Sequence, residues 1–454
     1  MKEGDIDFGT LKVSVLFKKL FFPTLFGMLG ISAMTAIDGI FIGHSVGSDG
    51  IAAVNIVIPV QMLLTGIGLM IGAGCSVIAS LCLAHGRQRM AQINVTQAML
   101  AVSVIAFLIM AWMLFDPETT ARQLGSSEHL LPMVVDYMVW YVPSWVFLVW
   151  TSVALFVIRL DGAPNVAMAC SLVAAILNII LDWLFMFPFG WGIMGAAFAT
   201  SISTAAGGVV AIVYLLFKAC HLRLISLRMS IKDARLCLRN MINQCRIGSS
   251  ALLGEATMAV LMFMGNQVFM RYLGDDGVGA FGIACYYTPF VFMVGNAIAQ
   301  SAQPIISYNF GLGSKGRMRE AEKVALVTAV ICGLVVTSLF VGVPAWLVGL
   351  FVDLKNGAAI IAMNGFPYFA VGFVGFIFNI TAIGYFQSVE RIRPATIFAL
   401  MRGFLILIPS FLLMPQLLGS DGIWLAMPVA EILTAVAITC FYKWNRTHDA
   451  TVRV

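Results

Sequence analysis

Twelve apolar runs, each near the ~20 residues that an α-helix needs to cross a bilayer, follow one another along this 454-residue chain. They begin near Leu16, Ile51, Ile93, Pro132, Asn165 and Gly192, and again near Arg246, Val278, Ala321, Ala358, Ala395 and Asp421. The second and eighth runs are long and rich in Gly, Pro and Gln, which predicts bent helices packed closely against their neighbours. The polar segments between runs divide by charge. With the N-terminus taken as cytoplasmic, 24 of the 27 Lys and Arg fall on the cytoplasmic side, leaving Arg122, Arg271 and Lys355 on the other. That bias is the positive-inside signature. It predicts a multi-pass protein of the prokaryotic cytoplasmic (inner) membrane with both termini in the cytoplasm.

The pattern also repeats. VGSDGIAAVNI at 46–56 returns as LGDDGVGAFGI at 273–283, and the same offset lays His85-Gly86 on Leu312-Gly313. At nearly that offset Pro164 falls on Pro394 and Gly192 on Gly422. Six spans is an even number, so the two halves keep one orientation. The expected fold is an all-α polytopic membrane protein of twelve transmembrane helices, built as two six-helix lobes related by a parallel internal repeat. The lobes are expected at 1–217 and 246–454, joined by a basic cytoplasmic linker at 218–245. Such repeats are typical of secondary transporters, in which substrate binds between the halves and access alternates. The competing reading, a duplicated membrane enzyme, needs a catalytic constellation.

Composition agrees with the membrane reading. Hydrophobic residues make up 60% of the chain, charged residues 11%, and the mean hydropathy is +0.95; a soluble domain carries roughly 25% charged residues. The net charge of +5 is accounted for by topology and does not indicate a nucleic-acid partner. Nine cysteines lie in apolar segments or on the basic side without a CxxC pair, so neither a disulfide framework nor a zinc site is expected. The N-terminal residues lack the short apolar core and cleavage site of a signal peptide and read as a tail leading into the first span.

Charged groups inside hydrocarbon are costly, and each needs a reason. The clear cases are Asp38, Asp182, Glu255 and Glu431. Asp136 and Arg402 lie nearer the ends of their runs, where a snorkelling charge explains them. Asp38 precedes His44 by six residues and Asp182 precedes Pro188 by six, which puts each ~9 Å below the outer boundary at a rise of 1.5 Å per residue. Thr200, eight residues into its run, reaches a similar depth, and Asn178 shares a helix face with Asp182 at i, i+4. Two carboxylates, an amide oxygen and a hydroxyl at one depth suit a hard cation such as Na⁺, or a shared proton; the plainer reading is hydrogen bonding within the bundle. Glu255 and Glu431 fall near the midplane of the second half. There they attract a cationic substrate, carry a proton, or lie buried as neutral acids. The repeat aligns Asp38 with Gly265, Asp182 with Leu412 and Thr200 with Ala430, so coupling is expected to be asymmetric. No GxxxxGK[ST] or HExxH occurs. ATP-driven export by this chain, enzymatic chemistry and a bound cofactor are therefore not expected. The 26 Met and 33 Phe residues suit an adaptable pocket, although most such residues in a bundle simply pack or face lipid.

Several of these segments resemble the multidrug and toxic compound extrusion (MATE) family of transporters. They are Pro23 followed by Asp38-Gly-Ile-Phe-Ile-Gly, VGSDGIAAVNI, LNIILDWLF at 177–185, the GIMGAAFAT run ending at Thr200, and QPIISYNFGLG at 303–313. The last is similar to the MepA-like branch. The resemblance implies two six-helix lobes and export of organic, often cationic, drugs in exchange for Na⁺ or H⁺, by a protein expected to act as a monomer. It implies a cation site in the first lobe at Asp38, Asn178, Asp182 and Thr200, and matches Glu255 to an acid of span 7. A second acid that one branch carries in span 10 aligns near Phe376, and span 10 has no acid here. That departure favours coupling through the first lobe. The wider superfamily includes flippases of lipid-linked glycans, the alternative function; a flippase is expected to line its cavity with several basic residues, and Arg402 is the one such candidate within a span.

Overall fold

The computed structural model describes residues 6–226 and 231–451, with backbone alone at Ser48, Asp275, 231–236 and 444–451. Residues 227–230 of the expected linker, and both extreme termini, lie outside the described residues. Every element among the described residues is helical. Spans 1 to 6 are Val13–Ser45, Asp49–Ala84, Gln88–Phe115, Leu131–Leu160, Pro164–Met186 and Gly192–Lys218. Spans 7 to 9 are Cys237–Gly274, Asp276–Gly311 and Lys315–Gly342, and span 10 is the pair Gly357–Ala370 and Gly372–Ser388, bent by 47°. The remaining helical stretch, Ile392–Lys443, has 52 residues. At 1.5 Å per residue that is about 78 Å, more than twice the ~30 Å hydrocarbon core. Gly419 breaks it with φ 62° and ψ −138°, which separates spans 11 and 12 and completes the expected twelve.

The repeat is a repeat of backbone devices. Gly47 (φ 89°, ψ −162°) and Gly274 (φ 62°, ψ −154°) turn the chain between spans 1 and 2 and between spans 7 and 8, in a region that only glycine enters without strain. The motif occurs a third time, as LGSDGI around Gly419. Spans 2 and 8 end alike: Arg87 N–H donates to the Cys82 carbonyl across Gly86, and Ser314 N–H to the Asn309 carbonyl across Gly313, both glycines at φ 69°. These are glycine C-caps that satisfy carbonyls left open at a helix end. Short helices opening on Pro117 and Pro344, which are equivalent positions of the repeat, follow spans 3 and 9.

By packing, the chain forms two compact units. Unit 1 comprises Met1–Leu252 and Gln303–Met318, and unit 2 comprises Leu253–Ala302 and Arg319–Val454. Unit 1 therefore takes in the start of span 7 and the basic-side end of span 8. Small residues make this close approach possible. Gly74 of span 2 lies against the Gln244 backbone, and Gly248 of span 7 against the Met70 carbonyl. Ser307 donates to Ser80, its repeat equivalent, at 2.8 Å, and Gln303 to the Ala73 carbonyl at 3.0 Å. Trp145, Leu64 and Ile71 are fully buried in the core of unit 1. In unit 2 the core is aromatic. Phe269 stacks on Phe281 at 4.6 Å and meets Trp424 edge-on at 4.7 Å, with Gly365 leaving room for the indole.

Candidate cation site

Spans 1 and 5 run side by side in the same direction, and glycines set their register. A side chain at Gly27 would abut Met168 and Ser171, and one at Gly30 would abut Leu172. From the Gly27–Ser171 contact, Asp38 and Asp182 each lie eleven residues further along, about 16 Å on both helices. They therefore meet. The two carboxyls lie within direct interaction range of each other, and Asp182 within reach of Asn178. Span 6 supplies Thr200, whose hydroxyl accepts from Asn178 Nδ2 at 3.2 Å and donates to the Ala196 carbonyl at 2.9 Å. Asn178 and Asp182 are fully buried. The structure thus brings together all four residues that depth arithmetic grouped.

What distinguishes the cluster is its unmet acceptors. Asp38 Oδ1, Asn178 Oδ1 and both oxygens of Asp182 are buried and receive no well-formed hydrogen bond. Buried polar atoms are normally paired, and leaving one unpaired costs ~1–3 kcal/mol. Four such oxygens around two carboxylates cannot satisfy one another, because none is a donor in its ionised form. A proton on one acid, or a hard cation among them, resolves the deficit, and the all-oxygen donor set fits either. Among the described residues no cluster of three or more His, Cys, Asp or Glu occurs.

Sequence reasoning missed the second layer. Tyr137 and Tyr141 of span 4 are 3% exposed and stand within electrostatic reach of Asp38, Tyr137 also of Asp182; Tyr141 is hydrogen-bonded with Gln61 of span 2. Their rings lie 5.3 Å apart. The signal was available, because Tyr137 lies six residues inside the end of span 4 opposite the basic side, the depth of both acids. A search confined to charged groups passes over it.

Glu255 and Glu431 belong to unit 2. Glu255 is half-buried and has no ion-pair partner among the described residues. Glu431 is engaged. Its Oε1 accepts from Arg402 Nη2 at 2.8 Å and Nε at 3.1 Å, and its Oε2 from Asn379 Nδ2 at 2.7 Å. The expectation that Arg402 snorkels to the interface is therefore corrected. A π-helical turn at Met401–Leu405 holds it in the core at 3% exposure, and its guanidinium sits 4.4 Å over the Phe376 ring. Gly375 lets span 10 approach the Glu431 backbone. Nor is Arg402 the sole basic residue within a span, since Arg159 is 2% exposed in the last turn of span 4. Asp136 is exposed, as expected of a charge at a span end.

Two segments, residues 23–184 and 251–412, match the profile of the MatE family. Multidrug export protein MepA of Staphylococcus saprophyticus is 26% identical over 434 residues, and its Staphylococcus aureus counterpart 26% over 443, each alignment covering 93% of both chains. Among solved structures, a MOP superfamily transporter from Pyrococcus furiosus superimposes with a TM-score of 0.87 at 19% identity, covering 100% of this chain and 99% of that one. The Vibrio cholerae MATE transporter VcmN, in a variant form, gives 0.85 at 18%, covering 95% and 97%. At such identities the structural likeness speaks for the fold.

Proposed function

The chain belongs to the MatE family of multi-pass membrane transporters, and from that premise we propose that it is a secondary antiporter exporting organic, often cationic, drugs in exchange for Na⁺ or H⁺. One observation carries the coupling half of this reading: the four unpaired acceptor oxygens at Asp38, Asn178 and Asp182. A cation entering there removes the repulsion between two carboxylates, worth about 4 kcal/mol at ~4 Å and an effective dielectric of ~20. That magnitude is enough to bias the packing of spans 1, 5 and 6, and with it the alternation of access between the two sides. Asn178 and Thr200 hold the amide and hydroxyl oxygens in place, and Tyr137 and Tyr141 close the site from span 4. Glu431, already paired with Arg402, contributes no free charge in the second lobe. Glu255 remains as an acid for recruiting a cationic substrate. Export of drugs rather than flipping of lipid-linked glycans is supported by the relatives, which are named as multidrug exporters. The basic side faces the cytoplasm in this reading, with both termini inside.

Proteoliposomes loaded with a cationic dye test the proposal under Na⁺ and proton gradients imposed separately. At least one gradient is expected to drive dye against its concentration, and collapsing it to stop the movement. Folded protein that moves no dye under either gradient overturns the reading.

A further inference from the structure

Outside the cation site, one feature of unit 1 combines an unmet charge with a fitted apolar surface. A groove of about 660 Å³ runs between spans 2, 3 and 7, lined by Ile71, Val104, Ile105, Leu238, Met241 and Ile242, with Arg246 at its rim. Val104, Leu238 and Ile242 are more than half exposed, and a membrane protein turns such a surface to lipid. Arg246 is exposed beside them and forms no ion pair among the described residues. Arg239, two helical turns earlier on the same face, is exposed as well.

Depth places this arginine at the hydrocarbon boundary, within side-chain reach of the headgroups. Span 3 has 28 residues, about 42 Å, and so overshoots the ~30 Å hydrocarbon core by about 12 Å. Asn94 lies six residues, about 9 Å, from its basic-side end, close to the hydrocarbon boundary. Gln244 of span 7 packs on Asn94, its Nε2 donating to the Asn94 carbonyl at 3.4 Å. Arg246 is two residues further on, at the edge of the hydrocarbon. A guanidinium facing lipid at that depth needs an anion, and the anion that a membrane surface offers there is a phosphate. The apolar residues of span 3 that line the groove, Val104 and Ile105, lie deeper in the hydrocarbon, where an acyl chain runs.

We propose that this groove binds an anionic phospholipid of the basic-side leaflet, its phosphate on Arg246 and an acyl chain along Val104 and Ile105. The site is separate from the drug and cation reading and does not depend on it. Photoactivatable phosphatidylglycerol, with a diazirine in the acyl chain, tests it against the matching phosphatidylcholine, using the full chain in nanodiscs and adduct mapping by mass spectrometry. Phosphatidylglycerol adducts are expected at 101–105 and 238–249, about fivefold above phosphatidylcholine, the preference expected from one cation near the surface. Arg246→Gln should bring the two lipids to parity, Arg246→Lys should keep the preference, and Val104→Trp should remove adducts of both by filling the groove. Each variant is checked for monodispersity first. Parity in the unmodified chain, a preference unchanged by Arg246→Gln, or adducts confined to other segments overturns the proposal.

Discussion

Replacing Arg402 by Met isolates the role of the buried charge pair in unit 2. The methionine fills much of the volume above Phe376 but takes both donors from Glu431 Oε1, leaving an acid at 2% exposure with Asn379 as its remaining side-chain partner. Removing one member of a buried pair costs about 3–5 kcal/mol, because the other charge stays behind unpaired, whereas removing both is far milder. The loss of the guanidinium–ring contact adds about 0.5–2 kcal/mol. Arg402→Met is therefore expected to lower the thermal midpoint of the detergent-solubilised protein by several degrees, and Arg402→Met combined with Glu431→Gln to recover most of it. Differential scanning fluorimetry on the two single variants and the double variant reads the comparison. A double variant that costs the sum of the singles would show that the two groups do not act as a pair, and would return Glu431 to the free acids.

Further outcomes follow from other sites. Asp38→Asn and Asp182→Asn should each abolish gradient-driven transport at normal expression, with the double variant no worse, because contacting groups that act as a unit are non-additive; additive partial losses in dye efflux would contradict this. Asp161, buried, accepts from the backbone N–H groups of Cys220, His221 and Leu222 and from the Tyr214 hydroxyl. Asp161→Ala orphans these donors and should destabilise by at least ~1–3 kcal/mol, read as a lower thermal midpoint; an unchanged midpoint refutes the anchoring role. Glu390, at φ 55°, is the one non-glycine residue with positive φ among the described residues. Glu390→Gly should raise the midpoint slightly, by the ~1 kcal/mol that a left-handed residue with a side chain costs; a lower midpoint would show that its side chain matters more than its backbone.

Much of this was legible before any coordinates. Span positions follow from apolar length, and the parallel repeat from glycines whose φ values later proved to be alike. Asp38, Asn178, Asp182 and Thr200 could be grouped because spans 1, 5 and 6 have well-marked ends opposite the basic side, so counting residues gave depth. Arg402 could not be placed that way. Its span has no sharp start and contains a π-helical turn, and its partner Glu431 belongs to the next span. Tyr137 and Tyr141 escaped because neutral phenols carry no cost in a search for charges. Nothing in the sequence around Asp161 marks its role, since its partners lie near and beyond the far end of span 6 and are mostly backbone.

In the proposed exchange, the acids of spans 1 and 5 hold the cation that is traded for drug. Release of that cation on adding drug, followed with a sodium-selective electrode and a pH indicator on purified protein at low buffer strength, tests it most directly. Drug is expected to displace sodium or protons from the unmodified chain and from Glu255→Gln wherever drug still binds, and to displace neither from Asp38→Asn or Asp182→Asn. Undiminished cation release from both aspartate variants would contradict it.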